Sequence, residues 1–316
     1  MSFDFTEKAI ELFHFQYLHN ATYQNYCRLV GCQPDKVNSL EKIPFLPISV
    51  FKTHTVVTGK FEAEAKFSSS GTSGMQTSQH LVKDLSIYET SFTQGFESFY
   101  GDIKEYCVLG LLPSYLERKG SSLIYMVNDF IQKSTHPSSG FFLNNTKELH
   151  QILTDLQSVN QKTLLIGVSF GLLDFIDQYT LPHHENLIVM ETGGMKGRRR
   201  ELVREELHEH LNKGFSTHQI HSEYGMTELL SQAYSKANGT FETSAWMNVL
   251  IRQQDDPFCF VGHGKTGAIN IIDLANIHSC AFIQTDDLGK KYEDQSFEVL
   301  GRFDASDVRG CNLMLM

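Results

Sequence analysis

The sequence predicts an α/β fold, with a mostly parallel sheet flanked by helices and a β-rich C-terminal portion. Between about residues 106 and 211, short apolar runs alternate with stretches of helical spacing, the pattern of parallel strands joined by crossover helices. From about residue 240 the helical periodicity fades, and short runs follow at 245–251, 258–261, 267–273, 279–284 and 296–300. The bulk composition agrees: 316 residues, 41% hydrophobic and 20% charged, can build a large core.

Taken in order, residues 3–30 read as one or two helices, because Phe5, Ala9, Leu12, Phe13, Leu18, Tyr23, Tyr26 and Leu29 recur near helical spacing. Gly31 is a natural stop, and Pro34 and Asp35 mark the loop after it. The prolines of Ile43-Pro44-Phe45-Leu46-Pro47 exclude helix and hold that stretch extended. Lys52 and His54 then fall in an expected strand leading toward Ser68-Ser69-Ser70-Gly71-Thr72-Ser73-Gly74. That loop follows an alternating run, Lys60 to Phe67, and precedes an expected helix, Leu81 to Phe99.

Strand, hydroxyl-and-glycine loop, then helix is the order of a phosphate cradle: glycines let N–H groups turn inward and hydroxyls add donors. No Gly-Lys-Ser/Thr closes the loop, so it is not a Walker loop. The same composition also suits a flexible surface connector.

Further on, Tyr106 to Leu112 and Leu123 to Val127 are short apolar runs, and Lys147 to Val159 is amphipathic. Thr163 to Val168 and Leu187 to Met190 read as buried strands, and Leu172 to Tyr179 has helical spacing. Arg198 to Leu211 reads as a charged helix with Leu202, Val203, Leu207 and Leu211 on its inner face. Lys196, Arg198, Arg199 and Arg200 crowd its start, where basic groups oppose the helix dipole. They either pair with Glu201, Glu205 and Glu206 or form a cationic rim beside an anion. The expected division is an α/β region, 1–240, with a helical segment at 1–35, and a β-rich portion, 241–316.

A net charge of −10 and a pI of about 5.8 argue against non-specific nucleic-acid binding. The six cysteines form no CxxC pair and have no histidine cluster beside them, which argues against structural zinc. There is no secretory signal pattern, and no apolar run approaches the ~18 residues of a spanning helix. A reduced, cytoplasmic protein with no membrane span is the expectation.

Four further stretches carry chemistry. Met190-Glu191-Thr192-Gly193-Gly194 sits just past a strand, where ligands of open parallel sheets bind. His221-Ser222-Glu223-Tyr224-Gly225-Met226-Thr227-Glu228 follows a short strand; Thr285-Asp286-Asp287-Leu288-Gly289 and Gly301-Arg302-Phe303-Asp304 come later. With the serine loop, and in this order, they resemble the adenylate-forming superfamily of acyl-CoA ligases and related synthetases. The matches span residues 68 to 304. Ile43 to Pro47 and Phe51-Lys52 are similar, more specifically, to the LuxE-type acyl-protein synthetases.

That resemblance implies an ANL-like N-terminal domain and an enzyme that joins a carboxylic acid, of the fatty class, to AMP from ATP with Mg²⁺. It implies that Ser68 to Gly74 hold the triphosphate, with Ser70, Thr72 and Ser73 donating to β- and γ-oxygens. Gly193 and Gly194 would let the backbone close over adenine, and Tyr224, followed by Gly225, would stack on the base. Thr227 would touch the α-phosphate and Glu228 would ligate Mg²⁺. Asp287 would accept the ribose hydroxyls, and Arg302 would add a positive fork.

The sequence departs from the superfamily at three places. Gln76 and Thr77 stand where its loop ends in Pro-Lys, and Asp286 replaces the glycine of Thr-Gly-Asp. Only twelve residues follow Asp304, so the mobile C-terminal domain with its lysine is expected to be missing. In the LuxE type a cysteine near the C-terminus accepts the acyl group as a thioester for a LuxC-type reductase, and Cys311 matches it.

Two alternatives stand beside this. One is a non-catalytic relative that binds a nucleotide or a partner. The other is an α/β-hydrolase, because Gly167-Val168-Ser169-Phe170-Gly171 fits the nucleophile-elbow pattern, with Asp255 or Asp273 and His263 or His278 as partners. In an adenylating enzyme the same segment would line the acyl pocket with Phe170 and Phe175.

Overall fold

The computed structural model describes residues 4–69, 77–113, 120–193 and 202–302. The chain opens with α1 (Phe5–His19) and α2 (Ala21–Leu29), then β1 (Leu46–Pro47) and the single turn α3 (Val50–Thr53). A hairpin of β2 (Ala65–Ser68) and β3 (Gln79–Val82) leads into α4 (Leu85–Tyr100). The alternating region comprises β4 (Cys107–Leu111), α5 (Ser122–Ser134), β5 (Gly140–Phe141), α6 (Thr146–Ser158), β6 (Thr163–Gly167), α7 (Ser169–Ile176), β7 (Leu187–Glu191) and α8 (Arg204–Phe215). Only strands follow: β8 (His221–Tyr224), β9 (Ala233–Ser235), β10 (Thr240–Thr243), β11 (Met247–Arg252), β12 (Gly267–Asp273), β13 (Phe282–Lys291) and β14 (Phe297–Arg302).

One mixed sheet runs β11-β12-β13-β14-β10-β9-β8-β7-β6-β4-β5, with β1 added alongside β13. From β5 to β8 every neighbour is parallel; from β8 to β11 every neighbour is antiparallel. Strand alternation sends side chains to both faces of the parallel part. On β4, Cys107, Leu109 and Leu111 pack with α6, α7 and α8, while Val108 packs with α4 and α5. A third core joins α1 and α2 to β11–β13, where Tyr23 and Phe282 stack with ring centroids 5.9 Å apart. The expected boundary near residue 240 falls at β10, which pairs with β9 on one side and β14 on the other, so the sheet runs on across it.

Several local expectations change. Asn20 divides the N-terminal segment into two helices, and Leu18 and Leu29 are exposed rather than inward. Lys52 and His54 lie on the exposed turn α3 and its cap, not on a strand. Residues Gln79 to Val82 pair antiparallel with Ala65 to Ser68, so the serine loop joins two strands and α4 starts only at Leu85. The loop is therefore no helix N-terminus. Leu123 to Val127 belongs to helix α5, capped by Ser121, because an apolar run buried on several sides has no periodicity to separate strand from helix. α8 starts at Arg204, leaving Val203 exposed while Leu207 and Leu211 are buried. The run at 258–261 contributes one bridge, Arg252 to Phe260.

Candidate active site

The parallel strands end on one side of the sheet, and a cavity of about 450 Å³ opens there. Ser68, Gly193, Gly225, Thr227 and Arg302 line it, from four segments of the chain that are far apart in sequence. Ser68 marks the end of β2 and is held by its N–H donating to the Gly120 carbonyl at 2.8 Å. Ser69 closes the base of the hairpin: its Oγ accepts from the Ser78 N–H at 2.9 Å. Ser70, Gly71, Thr72, Ser73 and Gly74, with Gln76, lie outside the described residues; so do Gly194, Lys196, Arg198, Arg199, Arg200, Glu201, Asp304 and Cys311.

Tyr224, Asp287 and Arg302 meet directly. The Tyr224 hydroxyl donates to Asp287 Oδ2 at 2.7 Å, and Arg302 Nε lies 3.6 Å from Oδ1. β13 and β14 create this pair through register, since Asp287 is opposite Arg302. Burial raises the Asp287 carboxyl above its ordinary range, partly offset by Tyr224 and Arg302. Thr285 shapes the turn before it, accepting from the Asp287 N–H at 3.1 Å and donating to the Ile269 carbonyl at 2.8 Å. Asp286 leaves that arrangement intact.

Thr227 lines the cavity, whereas Glu228 is only 4% exposed and sits behind it. Burial raises the Glu228 carboxyl; Ser78 and the more distant charges of Arg302 and Lys52 only partly oppose this. His80 anchors the segment from below, with Nδ1 2.8 Å from the Thr227 carbonyl and Nε2 3.1 Å from Asn276 Oδ1. Asn276 Nδ2 in turn donates to the Glu228 carbonyl at 2.8 Å.

Gly193 adopts φ +69°, a backbone conformation that side chains disfavour, and its N–H donates to Glu191 Oε2 at 2.7 Å. Glu191 is buried, which alone would raise its carboxyl, yet His208, Ser222, Arg204 and the Gly193 N–H together hold it below the usual range. Ser169 Oγ donates to the same carboxylate at 3.3 Å and is 1% exposed. A hydrolase nucleophile needs an exposed hydroxyl bonded to an imidazole, so this geometry does not suit an elbow. Asp273 is likewise structural: buried, it accepts from the Leu230 and Ser231 N–H groups and the Ser231 hydroxyl at 2.7, 3.1 and 2.5 Å.

The remaining wall includes residues that motif reasoning passed over. Tyr88 on α4, Ser121, Ser122, Leu123 and Met126 at the start of α5, and Glu223 and Gln232 around the Tyr-Gly turn all face the cavity. Phe170 lines it as expected, whereas Phe175 is fully buried in the core beneath. The only sequence signal for α5 was a pair of serines before an apolar run, a capping pattern. Glu223 had none, because one carboxylate beside a motif is ordinary. Among the described residues, no group of three or more histidine, cysteine or acidic side chains could hold a metal, and no helix is long and apolar enough to cross a membrane.

Comparison with known proteins places this architecture. The family model described as acyl-protein synthetase, LuxE, matches residues 5–316. The long-chain-fatty-acid–luciferin-component ligase of Vibrio harveyi is 24% identical over 327 residues, covering 96% of this chain and 85% of that protein. Its counterpart from Aliivibrio fischeri is 24% identical over 335 residues, covering 96% and 86%. Among solved structures, 2-hydroxyisobutyryl-CoA ligase in an open conformation aligns with a TM-score of 0.68 at 12% identity, over 95% of this chain and 69% of that one. ATP-bound MatB from Rhodopseudomonas palustris aligns with a TM-score of 0.56 at 17% identity, over 75% of this chain. This chain spans about half the length of MatB, 48%. The two structures share the fold with this chain, and the chain belongs to the LuxE acyl-protein synthetase family.

Proposed function

We propose that this LuxE-family chain activates a carboxylic acid with ATP and then carries the acyl group on Cys311 as a thioester. The observation behind this is the convergence of Ser68, Gly193, Gly225, Thr227 and Arg302 on one cavity, beside the Tyr224–Asp287–Arg302 group. A carboxylate oxygen attacks the α-phosphorus of ATP, the bond to the β-phosphate oxygen breaks, and pyrophosphate leaves. The Cys311 thiolate then attacks the acyl carbon and AMP departs. Bringing two anions together is the main barrier, so positioning and donors matter more than an acid–base pair.

In this scheme Ser68 and Ser69, with the loop Ser70 to Gly74, cradle the β- and γ-phosphates, and Thr227 meets the α-phosphate. Gly193 and Gly194 leave room for adenine against Tyr224, and Asp287 exchanges its Tyr224 bond for the ribose hydroxyls. Arg302, with a side chain 81% exposed, has the freedom to turn toward phosphate. Glu228 fits as the protein ligand of Mg²⁺, since its buried carboxyl is short of contacting cations. When bound there, Mg²⁺ would supply charge neutralisation to the phosphates. The names of the relatives make long-chain fatty acids the first class to test, and a LuxC-type reductase in the cytoplasm is one candidate acceptor.

Carboxylate-dependent pyrophosphate–ATP exchange is the expected activity. Cys311→Ala should keep exchange within about twofold of wild type while intact-mass analysis after ATP, Mg²⁺ and acid shows no hydroxylamine-sensitive adduct. Nucleotide binding without exchange for any acid would instead favour a non-catalytic relative, and an adduct retained in the variant would remove Cys311 from the mechanism.

A further inference from the structure

Within the adenylation scheme, on which this step rests, the wall of the acyl side is unexpectedly polar. β8 separates its side chains to opposite faces. Tyr224 points toward Phe241, Phe297 and Asp287, with ring centroids 6.0 and 5.9 Å away for the two phenylalanines. Glu223 points the other way, toward the wall formed by α4 and α5, directly across from Tyr234 on β9. A nucleotide held by Tyr224, Asp287 and Arg302 leaves the Glu223 side for the acyl group, against Tyr88, Leu123, Met126 and Gln232.

Two polar side chains of that wall, Glu223 and Gln232, lack partners among the described residues, and Tyr234 stands behind them. No described side chain or backbone group hydrogen-bonds the Glu223 carboxyl. Gln232 Oε1 and the Tyr234 hydroxyl are buried and unpaired among the described residues. Leaving such groups unsatisfied is costly, so their meeting in a cavity wall marks a place that a ligand completes. Space is also reserved for it. A Cβ on Gly225 would stand 2.5 Å from Glu223 Oε1 and 3.4 Å from Gln232 Cγ, so the carboxyl rests in the space that a side chain at this position would take and would have to turn away from it.

We propose that the acid accepted here carries a hydroxyl group on its acyl portion, which Glu223 and Gln232 hold in the cavity wall. Gln232 Oε1 requires a donor. Enclosure, with the neighbouring Glu191 charge, raises the Glu223 carboxyl to about 8, so near neutral pH it is mostly protonated and both donates and accepts. A neutral hydroxyl answers both needs, whereas an ammonium group would require the carboxylate. A plain alkyl chain would leave Glu223 and Gln232 unpaired, and a site built to bond a hydroxyl discriminates strongly against an analogue lacking it.

The test is pyrophosphate–ATP exchange over a matched series: straight-chain acids, the same chains hydroxylated at successive carbons, and their amino analogues. Wild type should favour one hydroxylated acid over its unsubstituted analogue by roughly 10²-fold or more in kcat/KM. Glu223→Leu and Gln232→Leu should each lower that ratio at least about tenfold with the KM for ATP nearly unchanged, while Glu223→Gln, which still donates and accepts, keeps most of it. Thermal melts of each variant check the fold, and Glu223→Gln serves as the comparison if Glu223→Leu does not fold. Equal use of hydroxylated and unsubstituted acids overturns the proposal and leaves adenylation standing, as does a preference for the amino series. A rise in the KM for ATP in Glu223→Leu and Glu223→Gln assigns the carboxyl to the adenine and also overturns it. Absence of exchange with every acid in the series overturns the adenylation and this proposal together.

Discussion

At the scale of single residues, the cavity is governed by groups whose charge depends on enclosure. Glu223 is the clearest case, because Glu191, Tyr88 and Tyr234 stand near it without a cation among them. Its folded carboxyl titrates at about 8, whereas an unfolded chain loses that proton near 4.5. The folded state therefore retains a proton that the unfolded state releases, and stability falls as pH rises through that window. Glu223→Gln removes the difference. Urea midpoints of the two proteins from pH 5 to 8 should diverge in favour of the variant, by less than about 1.4 kcal/mol per pH unit because water reaches the cavity. Parallel curves would show that Glu223 is ionised throughout.

At the scale of elements, the decisive features are the residues that stop one element and start another. Asn20 ends α1 with its N–H donating to the Gln16 carbonyl at 2.8 Å, and caps α2 by accepting from the Tyr23 N–H at 3.0 Å. Its Nδ2 also donates to Thr58 Oγ1 at 3.3 Å and the Ser279 carbonyl at 3.0 Å, which fixes both helices against the strand-rich side. Asn20→Ala should cost about 2–3 kcal/mol, the sum of a lost cap and buried bonds, read from chemical denaturation. A loss below about 0.5 kcal/mol would mean the helix pair is held by its apolar face alone. The β2–β3 hairpin has an equally local basis: Ser69 and Ser78 close it by two hydrogen bonds, so the serine loop extends from a paired base.

At the scale of the molecule, the two halves of the sheet are joined by more than the strands between them. Arg204 of α8 donates to the Val299 carbonyl of β14 at 2.7 Å, and its guanidinium lies 5.2 Å from the centre of the Phe241 ring. Asp273 of β12 reaches the segment after the Tyr-Gly turn, where it holds Leu230 and Ser231, and also accepts from the Ala275 N–H at 3.1 Å. Asp273→Ala strips several buried donors of their acceptor and should cost about 3 kcal/mol or more, seen as a lower melting temperature. Exchange activity should fall with it, because that turn carries Thr227. Unchanged melting would exclude Asp273 as the tie between the halves.

Motif order and strand–helix alternation by themselves determined the fold class and the family, and singled out the segments proposed to form a nucleotide site. Those are local signals: glycines that permit a turn, short motifs in a fixed order, apolar runs of strand length. Leu123 to Val127 shows where they stop, since an apolar run reads the same in a buried helix and a buried strand. Only the tertiary structure decided that Gln79 to Val82 would pair with β2, that Asp287 would meet Tyr224 and Arg302 through strand register, and that Ser169 would be buried against Glu191. It also decided what faces the cavity. The side on which Glu223 emerges follows from strand alternation, but its neighbours, unpaired among the described residues, come from β9 and the turn before it, brought beside it by pairing between strands. Such contacts depend on three-dimensional proximity, which no single stretch of sequence encodes.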